Sequence, residues 1–171
     1  MKLKKLVFLA IVVSISIVLS IVESSISSFV FVIPGVKLGL ANIMTLVVLF
    51  IYGDKDGALV VVFRILLVGL IYSGLFTPTW LMSISGGFLA FGSMILVKRI
   101  PKLSMVSVSV AGSLFHMVGQ ILMAILVLDT ATLIFYLPYM MLISIPTGIF
   151  TGLVAKKLID VFQRQLINPE A

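Results

Sequence analysis

Six side chains able to form strong charged or amide contacts lie within apolar stretches of this chain: Glu23, Lys37, Asn42, Arg64, His116 and Gln120. An ionisable group at membrane depth is costly unless it is paired or faces water, so each is a candidate for ligand contact. Ser16, Ser20, Glu23 and Ser27 follow offsets of 0, 4, 7 and 11, which put them on one helical face. Ser109, Ser113, His116 and Gln120 repeat those offsets independently. Two such stripes imply a shared polar interior, although serines serve close helix packing equally well. Lys37 follows the Pro34-Gly35 break and precedes Asn42 and Thr45, at the positive end of a short helix with free backbone donors. That position favours an anionic or acceptor-rich ligand, unless Lys37 simply snorkels from a surface loop. Glu23 argues for a cationic group instead, but Lys37 and Arg64 outnumber it. Arg64 needs a carboxylate or a ring of carbonyls, and Glu23 is its expected partner, directly or through ligand. Ser83 and Ser85 contact either a ligand or a neighbouring carbonyl. Tyr139, with Tyr136, either caps a cavity or belongs to an aromatic interface belt.

Only a membrane can hold these groups in such surroundings. Of 171 residues, 61% are hydrophobic and 11% charged, and the mean hydropathy is +1.33. A soluble domain cannot hide that much apolar surface. Long unbroken apolar runs, rather than alternating ten-residue segments, point to helices and not a barrel. The expected architecture is all-α: one polytopic membrane domain over 1–171, with spans near 5–25, 37–52, 57–75, 79–97, 103–128 and 132–160. The net charge of +6 is carried beside these spans, so it reads as an orientation signal and not as a nucleic-acid surface. With both termini cytoplasmic, Lys2, Lys4, Lys5, Lys55, Lys98, Arg99, Lys102, Lys156, Lys157 and Arg164 fall inside and only Lys37 outside. The lipid bilayer expected is the plasma membrane. With no cysteine and one histidine, neither a disulfide framework nor a metal site is expected, and no cofactor is called for.

The second span is the anomaly. From Leu38 to Tyr52 it reaches roughly 22 Å, against a hydrocarbon layer of about 30 Å. The segment Phe29–Gly35 is therefore expected to complete the crossing as re-entrant, non-helical backbone, which survives at that depth only when buried in protein or lining a wet cavity. MKLKK and the run after it resemble a secretory signal, but without a convincing cleavage site they read as a retained first helix. Pro138 and Pro146 are expected to kink the sixth helix, and Ser144, Gly148 and Gly152 to pack it. Trp80 is expected as an interfacial anchor, and the charges of GDKDG, 53–57, as solvated.

Several motifs carry a resemblance: ES at 23–24, PGVKLGLANIMTL at 34–46, Arg64, SISGG at 83–87, HMVGQ at 116–120 and YLPYMMLISIPTGIFTGLVA at 136–155. Over nearly its whole length the chain resembles the Gx transporter family, often labelled heptaprenyl diphosphate synthase component I. That family looks like the substrate-binding S components of energy-coupling factor transporters. One departure is Met117, where the family usually has Asn after the histidine. The resemblance implies an S-component-like bundle that takes up a small vitamin or precursor, flavin- or quinone/isoprenoid-related. It would work with a transmembrane coupling subunit and ABC-type ATPases, which Ala10 and Ser14 of the first helix are placed to meet. No catalytic residues are expected. Prenyl transfer needs paired aspartate-rich clusters for magnesium, and Asp54 and Asp56 stand alone in a turn. The rival expectation is a ligand-free membrane subunit of an isoprenoid-synthesis or electron-transfer complex.

Overall fold

A computed structural model describes residues 2–30, 37 and 39–167. Its elements are α1 (Lys2–Val30), α2 (Asn42–Ile51), α3 (Asp54–Val68) with a π-helical turn at Gly69–Ser73, α4 (Pro78–Lys98), α5 (Met105–Leu128), a 3-10 turn at Ala131–Tyr136, and α6 (Leu137–Ile167). Among the described residues there are no strands. Five helices are long and apolar enough to cross a membrane, and α2 is not one of them.

The bundle is apolar outside, and its interior holds polar groups as well as apolar clusters. Ser16, Ser20, Glu23, Ser27, Ser109, Ser113, His116 and Gln120 are all buried, while Leu6, Leu70, Ile71, Leu96, Leu126 and Leu142 stand out from the surface. An apolar surface is what lipid selects, because hydrocarbon tails solvate leucine while polar groups need protein partners.

The short helix α2 occupies the centre and touches all five long helices. Every residue from Asn42 to Leu49 is buried, as expected of a helix apolar on all sides. Its ten residues span roughly 15 Å, shorter still than the expected 37–52. The lost turn has a physical cause. Gly39 has φ +92°, a left-handed geometry that suits glycine, and residues 39–41 are held in a turn by Glu23. The expected re-entrant stretch, Phe29–Gly35, falls largely on 31–35, which lie outside the described residues; Phe29 and Val30 belong to α1.

Both ends of α2 are capped by charges of opposite sign from neighbouring helices. At its start the Glu23 carboxylate of α1 accepts the backbone N–H groups of Gly39, Leu40 at 3.0 Å and Ala41 at 3.4 Å. At its end the Lys98 ammonium of α4 donates to the Leu49 carbonyl at 2.7 Å. A buried helix end leaves orphan donors or acceptors, and each charge matches the dipole it faces.

One end of the bundle gathers the ion pairs. Lys5 meets Asp56 at 2.8 Å, and Asp54 faces Lys98 at 3.5 Å and Arg99 at 3.6 Å. Phe8 packs between Tyr52 and Phe162. The start of α1, the α2–α3 turn and the ends of α4 and α6 therefore share a side. Asp54 and Asp56 of GDKDG, expected to be merely solvated, join this network because α1 and α4 bring cations to them, while Lys55 is exposed.

Two further expectations change. Pro138 lies in the first turn of α6 and interrupts nothing, since that turn needs no intrahelical N–H; the helix continues through Pro146. Trp80 is buried instead of anchoring at the interface, and its indole N–H donates to the Ile65 carbonyl at 3.1 Å. It lies hard against Gly69, where α3 passes into the π-helical turn. Gly148 and Gly152 lie close against the α5 backbone, as expected of packing residues. Gly119 is pressed against the backbone of Ser85 and Gly86, so SISGG serves the α4–α5 approach.

Candidate functional site

A pocket lies where α1, the turn before α2, α3, α4 and α5 meet. It is lined by Glu23, Lys37, Asn42, Arg64, Ser83 and His116 of the expected set. Its free volume is about 20 Å³, enough for one water-sized group, whereas a drug-sized molecule needs at least roughly 300 Å³. Ser20, Ser73 and Trp80 complete its polar and aromatic wall. These three were legible only in part: Ser20 sits in the first polar stripe, while Ser73 and Trp80 carry no periodic signal because a π-helical turn and the first turn of α4 deliver them.

The placement of charges follows from the short helix. Glu23 is 1% exposed and its carboxylate is engaged by the three N–H groups at the α2 start. It makes no ion pair with Arg64 among the described residues, contrary to direct pairing. Arg64 instead donates from Nη1 to Asn42 Oδ1 at 3.1 Å. The free backbone donors expected to greet an anion are likewise occupied by Glu23. The α2 dipole is thus neutralised within the protein, and Arg64 and Lys37 remain the cations at the pocket wall.

The polar stripe on α5 divides in two. Ser109 exchanges a 2.8 Å hydrogen bond with Thr151 of α6, and Ser113 lies against Gly148, so this half serves helix packing. His116 reaches the pocket. Gln120, 0% exposed, lies one turn on without lining it and accepts the Lys37 backbone N–H at 3.1 Å through Oε1. On α1, Ser16 returns its hydroxyl to its own helix at Val12, and Ser20 and Glu23 face the pocket.

Other expected residues fall elsewhere. Ser85 is half-buried, is not among the residues lining the pocket, and meets Gly119 of α5 through its backbone. Ser83 lines the pocket, but its hydroxyl donates to Thr79 of its own helix at 2.8 Å. Tyr139 is 55% exposed on the outer surface of α6 and is not brought to the pocket. Met117, which stands in place of the family's Asn, is fully buried in an apolar cluster with Met82, Ile121, Ala124 and Met140. Ala10 and Ser14 are not in the interior at all. With Leu6, Val13, Leu59 and Phe63 they line a separate apolar groove of about 640 Å³ between α1 and α3.

An all-helical bundle with an apolar outside, five membrane-length helices and a charged pocket at its centre defines a polytopic integral membrane subunit. The chain belongs to the heptaprenyl diphosphate synthase component I family, whose family model matches residues 12–158. No curated protein and no solved structure matches it.

Proposed function

We propose that this protein is the substrate-binding membrane subunit of an energy-coupling-factor-type uptake transporter, capturing a small vitamin or precursor by a polar end that reaches the central pocket. The carrying observation is the pocket itself: Arg64, Lys37, Asn42 and His116 converge at the start of a half-length helix inside a membrane bundle. Broken or short helices whose ends meet at mid-membrane are a recurrent way of building a transporter's binding site. The groove between α1 and α3, with Ala10 and Ser14 at its floor, supports a place for the transmembrane coupling subunit that carries the ABC-type ATPases. The subunit is not itself an enzyme in this reading. It sits in the plasma membrane with both termini cytoplasmic, because the ion-paired end of the bundle carries the cationic turns.

The family's name favours a component of an isoprenoid-synthesis complex; the second reading is that the chain is a non-catalytic membrane subunit of such a complex, or of an electron-transfer complex, and binds no ligand. Asp54 and Asp56 are engaged by Lys5, Lys98 and Arg99, which argues against their holding a diphosphate's magnesium.

Co-expression with coupling and ATPase subunits separates the two. The transport reading expects a stable complex, loss of that complex in Ala10→Trp, and a small molecule released on denaturation and detected by mass spectrometry. A chain that neither associates nor carries a small molecule sinks it.

A further inference from the structure

The two buried amides near the pocket are both oriented by groups that can only donate. Arg64 takes Asn42 Oδ1, and the Lys37 backbone N–H takes Gln120 Oε1. A guanidinium and a peptide N–H have no acceptor lone pair, so the amide oxygens must face them and the NH₂ groups must face away. Asn42 Nδ2 and Gln120 Nε2 are buried with no hydrogen-bond partner. The imidazole of His116 lies between them: its Cδ2 and Asn42 Nδ2 both crowd the open side of Gly39, while its other edge and the Gln120 side chain meet at Gly86. Neither nitrogen of His116 reaches hydrogen-bond geometry. Arg64 makes a single hydrogen bond among the described residues, which leaves most of its five N–H groups available. The carboxylate at the pocket wall is already engaged, because Glu23 is held by the start of α2.

From this imbalance we infer that the pocket reads a hydrogen-bond-accepting oxyanion of the substrate, a carboxylate or phosphate oxygen, with Arg64 and the Asn42 amide as its donors. His116 supplies the adjustable contact, donating or accepting according to its tautomer. Unpaired buried donors are costly to leave unmet, so the site rejects groups that bring more donors. The free volume of about 20 Å³ fits one such oxygen group, so it is the substrate's charged end that is read there. Glu23 is thereby a structural cap and not a ligand to a cationic substrate. This deepens the transport reading and rests on it, but its test needs no partner subunit.

The purified full chain in detergent is titrated with sodium acetate and sodium phosphate, and with tetramethylammonium chloride as the cationic control. Trp80, the one tryptophan in the sequence, lines the pocket and reports by fluorescence. A saturable response to either anion, with a matching rise in melting temperature and none from the cation, is expected. Asn42→Asp reverses the donor while offering Arg64 a carboxylate, so it should fold and yet bind the anions roughly tenfold or more weakly. Gln120→Glu should weaken them less, since Gln120 stands behind His116. A response to the cation alone, no response to either anion, or undiminished anion binding in folded Asn42→Asp would overturn the inference. Anion binding by a chain that fails to join coupling subunits would support it and count against the transport reading alone.

Discussion

Arg64 Nη1 donates to Asn42 Oδ1 at 3.1 Å, so the guanidinium of α3 is fixed to the first residue of α2 and not to the carboxylate of Glu23. Hydrogen bonds to charged groups contribute about 1.5–3 kcal/mol. A double-mutant cycle on Arg64→Gln and Asn42→Leu is therefore expected to show coupling of that order, measured by thermal unfolding in detergent. The cycle on Arg64→Gln and Glu23→Gln should give the smaller coupling, and the reverse ranking would mean that the direct ion pair forms after all.

Glu23 should behave as a helix cap. Removing it strands three backbone donors in the interior, so Glu23→Ala is expected to cost about 3 kcal/mol. Glu23→Gln keeps an acceptor and should recover part of that loss. Equal stability of the two variants would show that the carboxylate does not hold the turn.

At the other end of α2, Lys98→Met removes the cation from the Leu49 carbonyl and should cost about 1–2 kcal/mol, with Lys98→Arg milder. Amide hydrogen exchange gives a local readout: protection should fall at Tyr52 and Gly53, whose N–H groups bond Val48, before it falls in α5.

Gly69 and Trp80 should titrate each other sterically. A methyl at Gly69 collides with the indole ring, so Gly69→Ala is expected to displace Trp80, shift its emission to the red and lower stability by about 1–3 kcal/mol. Unchanged emission would place Trp80 elsewhere than against the π-helical turn.

The absence of cysteine makes orientation directly measurable. With the ion-paired end cytoplasmic, Lys55→Cys should react with an impermeant maleimide only after permeabilisation, and Thr130→Cys in intact cells. The opposite pattern would invert the assigned topology.

The helical class and the buried stripes were readable because a charge or amide in an apolar run has few places to go. Ser16, Ser20 and Glu23 on one side and His116 and Gln120 on the other face inward for that reason. The partner of each group was not readable. Nothing local says that Glu23 meets Gly39 and Arg64 meets Asn42, because that choice depends on how far α2 is cut back and on a turn with positive φ at Gly39. Trp80 was misplaced because a tryptophan beside a loop usually marks an interface, and only the π-helical turn opens room for it inside. Tyr139 and Ser85 carried the right residue types, but Tyr139 lies on the exposed surface of α6 and Ser85 belongs to the stretch of α4 that packs its backbone on Gly119.

The double capping of α2 also constrains how the chain is made. A ten-residue apolar helix is too short to partition stably into the bilayer by itself, and the group that caps its end, Lys98, is synthesised 49 residues after Leu49. Until α4 has emerged, the insertion machinery or α1 and α3 must shelter an unfinished segment. A ribosome stalled before residue 98 therefore holds a nascent chain whose central helix lacks its final cap, and the arrival of α4, the third of the five membrane-length helices, supplies it.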